Sequence, residues 1–333
     1  MSASFNPPQP DRDDADAWTR GETAGGEGAI DEQASDQPLS TFAPTADGAT
    51  FGETPLGEFE RRLPPMRIPN IVDVIVMLIV LLIVSLVSFG LLSHVFPAQP
   101  VRADKGFQAS PDVVFMLGTQ AVSYVSSFLL WLLIFPALWH EEFFSGIQWR
   151  AAAALRLRWR LLAAAFACLV LAFLDTVLLP GPENAPIDRV FQVPGAVWLM
   201  VAFGITLAPF IEELVFRGFL LPALATAWDW SVEQIRDRPA PWPDPVRGTL
   251  WSLPAMIAAS VLTSIPFAWI HAEQTGYSLG PFLLLICVSL VLCWVRLSAR
   301  SLAASTIVHA CYNLLLFSLM FWGTNGFKHM DKL

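Results

Sequence analysis

The sequence predicts an all-α fold: a polytopic transmembrane helical bundle with about seven spans (six to eight), preceded by a disordered acidic N-terminal tail. Three observations predict it. Hydrophobic residues make up 54% of the 333 positions and charged residues only 15%. The apolar residues gather into runs of about 20, the length that crosses a hydrocarbon core. The formal net charge of −9 is unevenly placed, because residues 1–60 hold 13 acids against two bases, Arg12 and Arg20. In lipid every backbone polar group must be satisfied internally, so such runs are read as helices.

The tail, taken as 1–68, has no sustained periodicity and too little apolar surface to offset its ordering entropy. It has no basic start followed by an apolar core, so it is not a secretory signal. Arg61, Arg62 and Arg67 then border the first span, 71–92, and favour a cytoplasmic N-terminus. Asp73, at the mouth of that span, is assigned no role because it can reach the headgroups. The second span is 113–139. Its edge motif His140-Glu141-Glu142 invites a metal reading, but its place at the water boundary favours interfacial charges. The loop after it carries Arg150, Arg156, Arg158 and Arg160, as a cytoplasmic loop should. The third span is 161–179, with Asp175 solvated near its outer end. Pro180-Gly181-Pro182 then breaks the chain.

These N-terminal transmembrane helices occupy 69–194, a core occupies 195–322, and a C-terminal tail occupies 323–333. The core opens with a span at 197–224, followed by a cytoplasmic loop, 229–248, whose 239–245 run is too proline-dense for a helix. Spans at 255–270, 281–295 and 302–322 complete the count and put the C-terminus outside. Lys328 and Lys332 sit poorly there with the positive-inside rule. Trp139, Trp251, Trp294 and Trp322 lie near span ends and are read as interface anchors. The four cysteines show no framework spacing and are read as small core residues.

Few polar residues lie inside the last four spans, and they organise the reading. Glu212 and Glu213 sit in an apolar run, where ionisable groups face a bundle interior or a wet cavity and usually carry function. Arg217 stands four after Glu213 on one helix face and can neutralise it. Glu212 is rotated about 100° away and has no partner on its own helix. His271 stands four after Phe267, and His309 stands four before Asn313 on a shared face. Glu212, His271 and His309 can hold Zn²⁺ with an open position for water. The same parts can work without metal, with Glu212 as general base and His and Asn donors stabilising an oxyanion. Measured by helix rise from the span ends, Glu212 lies about 18 Å deep, His309 about 12 Å and His271 about 25 Å. His271 therefore needs a tilt, a kink at Pro266 or a later helix start.

The ordered set Glu212-Glu213-x-x-x-Arg217-Gly218, Phe267-x-x-x-His271 and His309-x-x-x-Asn313, on successive hydrophobic segments, resembles the CPBP family. These are membrane proteins of the CAAX-protease, Abi and Rce1-like group. The resemblance covers about 195–322 and leaves out the first three spans and the tail. It implies an intramembrane endopeptidase, metallo- or glutamate-type, with Glu212, Glu213, His271, His309 and Asn313 as the catalytic set. Arg217 and Phe267 would support them, and any zinc would lie on Glu212, His271 and His309. It does not carry over prenylated CAAX ends as the substrate.

The expected partners are membrane lipid and a protein or peptide substrate near the membrane, and no basic footprint for nucleic acid is present. The expected location is the plasma (inner) membrane. Two other readings use the same polar site. One is a non-catalytic binding or transport protein, against which 71–190 holds no second copy of the Glu-Glu segment. The other is an immunity-type scaffold that engages a partner through the tail.

Overall fold

The computed structural model describes residues 68–96, 113–179, 196–236 and 250–327. The acidic tail expected over 1–68 lies outside the described residues but for Ile68. So do the proline-dense run 239–245, Lys328 and Lys332. Among the described residues the regular structure is helical and no strand occurs. Seven helices or helix trains among the described residues are long and apolar enough to cross a membrane, and the chain is an integral membrane protein.

The first span is α1 (Ile71–Val95). Its start is built by sequence: Asn70 Oδ1 accepts from the amides of Val72 and Asp73, and Asp73 Oδ2 accepts from Asn70 N at 2.9 Å. This reciprocal capping satisfies amides that have no partner in the helix. Asp73 is buried, and its other oxygen accepts from Trp139 Nε1 at 3.0 Å. The expectation that Asp73 only reaches headgroups is therefore corrected. It ties α1 to the end of α2 (Val113–Trp139), and Trp139 is a buried residue, not an interface anchor. Trp251 is likewise buried, whereas Trp294 and Trp322 are exposed as expected.

Two short helices follow, α3 (Phe143–Gly146) and α4 (Ala151–Arg156), and then α5 (Arg158–Leu178). Gly146 lies against Trp139, where a Cβ would sit 2.6 Å from two ring atoms. Only glycine allows this approach. His140 and Glu142 are exposed, and the segment forms no metal cluster among the described residues. Asp175 is half-buried rather than solvated, with its Oδ1 against Gly280.

The fourth span is broken. It comprises α6 (Ala196–Ile205), α7 (Leu207–Glu213), a π-helical segment (Leu214–Leu220) and α8 (Leu221–Arg236). The sequence reading ended this span at 224 and began a loop at Asp229, but the helix continues through Arg236. Asp229 is buried and holds the start of α9 (Leu253–Ile270). Its Oδ1 accepts from Ser252 Oγ at 2.6 Å, and its Oδ2 from Ser252 N at 3.2 Å. A local apolar count misses this because Asp229 is satisfied by a partner 23 residues away. Finally α10 (Leu279–Ala299) and α11 (Leu302–Gly323) pack on each other and on α5.

The extended fourth span resolves the depth mismatch at His271. Asp229 and Ser252 share one level. Glu212 lies 17 residues above Asp229, about 26 Å, and His271 lies 19 above Ser252, about 28 Å. The α10–α11 turn sits higher in the bundle, since a Cβ at Gly218 would lie 3.1 Å from Leu302 Cδ2. Glu212 is six residues above Gly218 and His309 seven above Leu302, about 9 and 10 Å. The three side chains converge because their helices start at different heights.

Candidate active site

Glu212 and Glu213 occupy the last turn of α7, and the π-helical segment begins directly after them. π-turns inside helices mark local departures from regular bonding and recur at functional sites. Here the irregular backbone is held from outside, because Arg296 Nε donates to the Arg217 carbonyl at 3.3 Å. Glu213 and Arg217 still pair, with Nη1 to Oε1 at 2.8 Å, and both side chains are 0% exposed. Arg217 Nη2 donates to Ser289 Oγ at 2.7 Å and to Ser289 O at 3.1 Å. The guanidinium stacks on Phe267 at 4.6 Å, so a buried cation is matched by a carboxylate, a hydroxyl and a π-face.

His309, on α11, faces both glutamates. Its Nδ1 is 3.1 Å from Glu213 Oε1, and its Nε2 is 3.8 Å from Glu212 Oε2. His271, at the C-terminal end of α9, turns its Nδ1 back to the Phe267 carbonyl at 2.8 Å and its Nε2 toward Glu212 Oε1 at 3.8 Å. A carbonyl or ionised carboxylate only accepts, so each Nδ1 carries a proton, an assignment made from the partners. Each imidazole then turns its Nε2 toward Glu212, one to each carboxylate oxygen. At 3.8 Å these are not direct hydrogen bonds. Phe267 is buried with its ring 4.9 Å from that of His271 and 6.0 Å from that of His309, which holds the two imidazoles apart.

Glu212 is therefore a carboxylate with 13% of its side chain exposed, set between two anchored imidazoles. Asn313 is placed differently. Its Nδ2 donates to the Gly204 carbonyl at 2.7 Å, fastening α11 to α6 just before the break at Thr206. Such interhelical amide bonds contribute roughly 0.6–2 kcal/mol. The set has the donor chemistry that zinc takes, with imidazole Nε2 atoms whose Nδ1 protons are anchored. Among the described residues, however, no three His, Cys, Asp or Glu side chains are placed to hold one ion.

Ser289 and Arg296 were not singled out by the sequence reading. Ser289 is one hydroxyl in an apolar run, and Arg296 is a single charge directly after the apolar run 281–295. Tyr124, on α2, was missed as well. It stacks on Phe203 at 5.8 Å and accepts from Gln120 Nε2 at 3.1 Å. No local spacing links these residues to the glutamates, so no sequence signal points to them.

The fold and this cluster define a polytopic helical membrane protein with an acid and two imidazoles gathered between its helices. Residues 194–315 match the family model described as type II CAAX prenyl endopeptidase, Rce1-like. The matched segment is similar to the CPBP, or CAAX-protease, family that the motifs resemble, and every residue of the cluster's motif set falls inside it. No curated protein and no solved structure matches the chain.

Proposed function

We propose that the chain is an intramembrane endopeptidase that cleaves a peptide bond presented close to the membrane surface, with Glu212 activating the attacking water. The observation that carries this reading is the Glu212 carboxylate, set between two imidazoles and inside a segment matching an endopeptidase family. A carboxylate at this position has the reach to take a proton from a water and little competing solvent.

The proposed chemistry balances without a co-reactant. Water loses one proton to Glu212 as its oxygen bonds to the carbonyl carbon. The C–N bond then breaks as the amide nitrogen takes that proton, relayed from Glu212 through His309 Nε2. His309 suits that role because Glu213 lies at its Nδ1, the arrangement by which a buried carboxylate orients an imidazole and supports its cation. Glu212 is then a carboxylate again and His309 has gained no net proton. His271, anchored by a neutral carbonyl, orients the water and the oxyanion. Zinc on Glu212, His271 and His309 would supply a polarised water instead. We assign the arginine-rich end of the bundle to the cytoplasmic side of a plasma membrane.

The test is cleavage of a panel of membrane-proximal peptides, prenylated and unprenylated, by purified protein in lipid. Glu212→Gln is expected to lower turnover at least 100-fold, the lower range for removing a general base, with the fold unchanged. Retained turnover in that variant would sink the reading. Metal analysis of the same preparations separates the two chemistries. Stoichiometric zinc lost in His309→Ala assigns a metalloenzyme, and metal-free turnover resistant to chelators assigns the glutamate mechanism.

A further inference from the structure

We propose a second site, for a phosphate anion, at the arginine-rich end of the bundle, where Arg296 and Arg300 meet Gln148 and Trp251. The chemistry is that of an acidic phospholipid headgroup or of free phosphate, and the proposal is independent of the proteolytic reading.

The first observation is an imbalance of charge. Arg296 is 3% exposed, yet all its partners are neutral. Its Nε donates to the Arg217 carbonyl, and its Nη2 donates to Gln148 Oε1 at 2.9 Å and to Ile147 O at 3.5 Å. Arg217, the other buried arginine, has a carboxylate at 2.8 Å. Among the described residues no carboxylate forms an ion pair with Arg296. A buried cation without a counter-charge is unfavourable, and removing one partner of such a pair leaves this same situation.

The second observation is a place for the missing anion. A cavity of about 30 Å³ is lined by Gln148, Trp251, Arg296 and Arg300, with Leu250, Met256 and Leu297 on its apolar side. That is room for an oxygen atom or two of a ligand whose remainder lies outside. Among the described residues Arg296 Nη1 makes no hydrogen bond, and Arg296 lines this cavity. Arg300 is exposed at the rim, on the turn between α10 and α11. Two planar guanidinium forks around a small opening suit phosphate oxygens better than a single carboxylate.

The third observation is where the cavity lies. Among the described residues every arginine except Arg217 belongs to this end of the helices, and no lysine is present. α10 is 21 residues long, about 31 Å, so Arg300 stands at one boundary of a hydrocarbon core. That is headgroup level, on the side where basic residues and anionic lipids coincide.

The experiment uses the full-length protein in uncharged detergent, with native mass spectrometry and thermal unfolding. The probes are phosphatidylglycerol, phosphatidylcholine and inorganic phosphate. Phosphatidylglycerol is expected to stay bound and raise the melting temperature, and phosphatidylcholine is not. Arg300→Gln is expected to weaken phosphatidylglycerol binding at least tenfold while melting like wild type without lipid, since Arg300 is exposed. Arg300→Lys should recover part of the binding. Stabilisation by inorganic phosphate that displaces the lipid assigns a free-phosphate site, and lipid binding indifferent to phosphate assigns a headgroup site. Equal retention of the two lipids with no effect of inorganic phosphate overturns the proposal, as does unchanged anion binding in Arg300→Gln.

Discussion

Two adjacent glutamates meet opposite fates, and the difference lies in their neighbours. Glu213 is enclosed with Arg217 one turn away, and its partner is further fixed by Ser289 and Phe267. Glu212 points to two imidazoles at 3.8 Å and keeps some exposure. The pair is expected to hold the fold, and breaking it from one side should cost about 3–5 kcal/mol, because an uncompensated charge is left buried. Arg217→Ala should therefore lower the melting temperature strongly. The double variant Glu213→Ala/Arg217→Ala should lose much less stability than the sum of the two single losses. Additive losses in that cycle would show that the two side chains do not act as a pair. The pairing was legible from the sequence because four residues separate the partners. The partners of Glu212 were legible only as a list of polar residues on other spans, and their geometry was not.

At the scale of elements, the joins between helices are made by residues that local patterns undervalue. Asp73 caps α1 and also holds Trp139, 66 positions on. Asp229 caps α9 through Ser252 from the preceding helix. Neither has a periodic signature, since the partner is set by tertiary packing, and both sit where an acid next to an apolar run ordinarily meets water. The π-helical segment was illegible for the same reason: its displaced carbonyl is satisfied by Arg296, 79 positions away. The Trp139 join can be tested through glycine. In Gly146→Ala the new methyl would meet the Trp139 ring at 2.6 Å, so the ring and its bond to Asp73 must shift. The expected loss is about 1–3 kcal/mol of stability, the usual result of overpacking. In Gly118→Ala, on α2, nothing lies within 4 Å of the new methyl, and the change should be neutral or stabilise by up to about 1 kcal/mol through helix propensity. Equal melting of both variants would argue against the close Gly146–Trp139 contact.

For the whole molecule, span count and order were legible because a bilayer imposes about 20 apolar residues per crossing, whatever the tertiary contacts. Relative height was not, because it depends on where each helix starts. Placing the end of the fourth span at 224 instead of 236 was enough to push His271 out of register with Glu212. The same heights orient the molecule. Ile235, at the end of α8, and Tyr277, before α10, are both exposed and lie at opposite ends of the bundle. The described arginines other than Arg217 cluster at the Ile235 end, and the positive-inside rule assigns that end to the cytoplasm. In intact cells carrying variants on a cysteine-free background, a membrane-impermeant maleimide should label Tyr277→Cys directly and Ile235→Cys only after permeabilisation. The reverse pattern would place the arginine-rich end, and with it the Glu212 cluster some 10 Å in from the α10–α11 turn, on the outer side. The peptide bonds within its reach would then belong to extracytoplasmic segments, so this labelling decides which substrates to offer the enzyme.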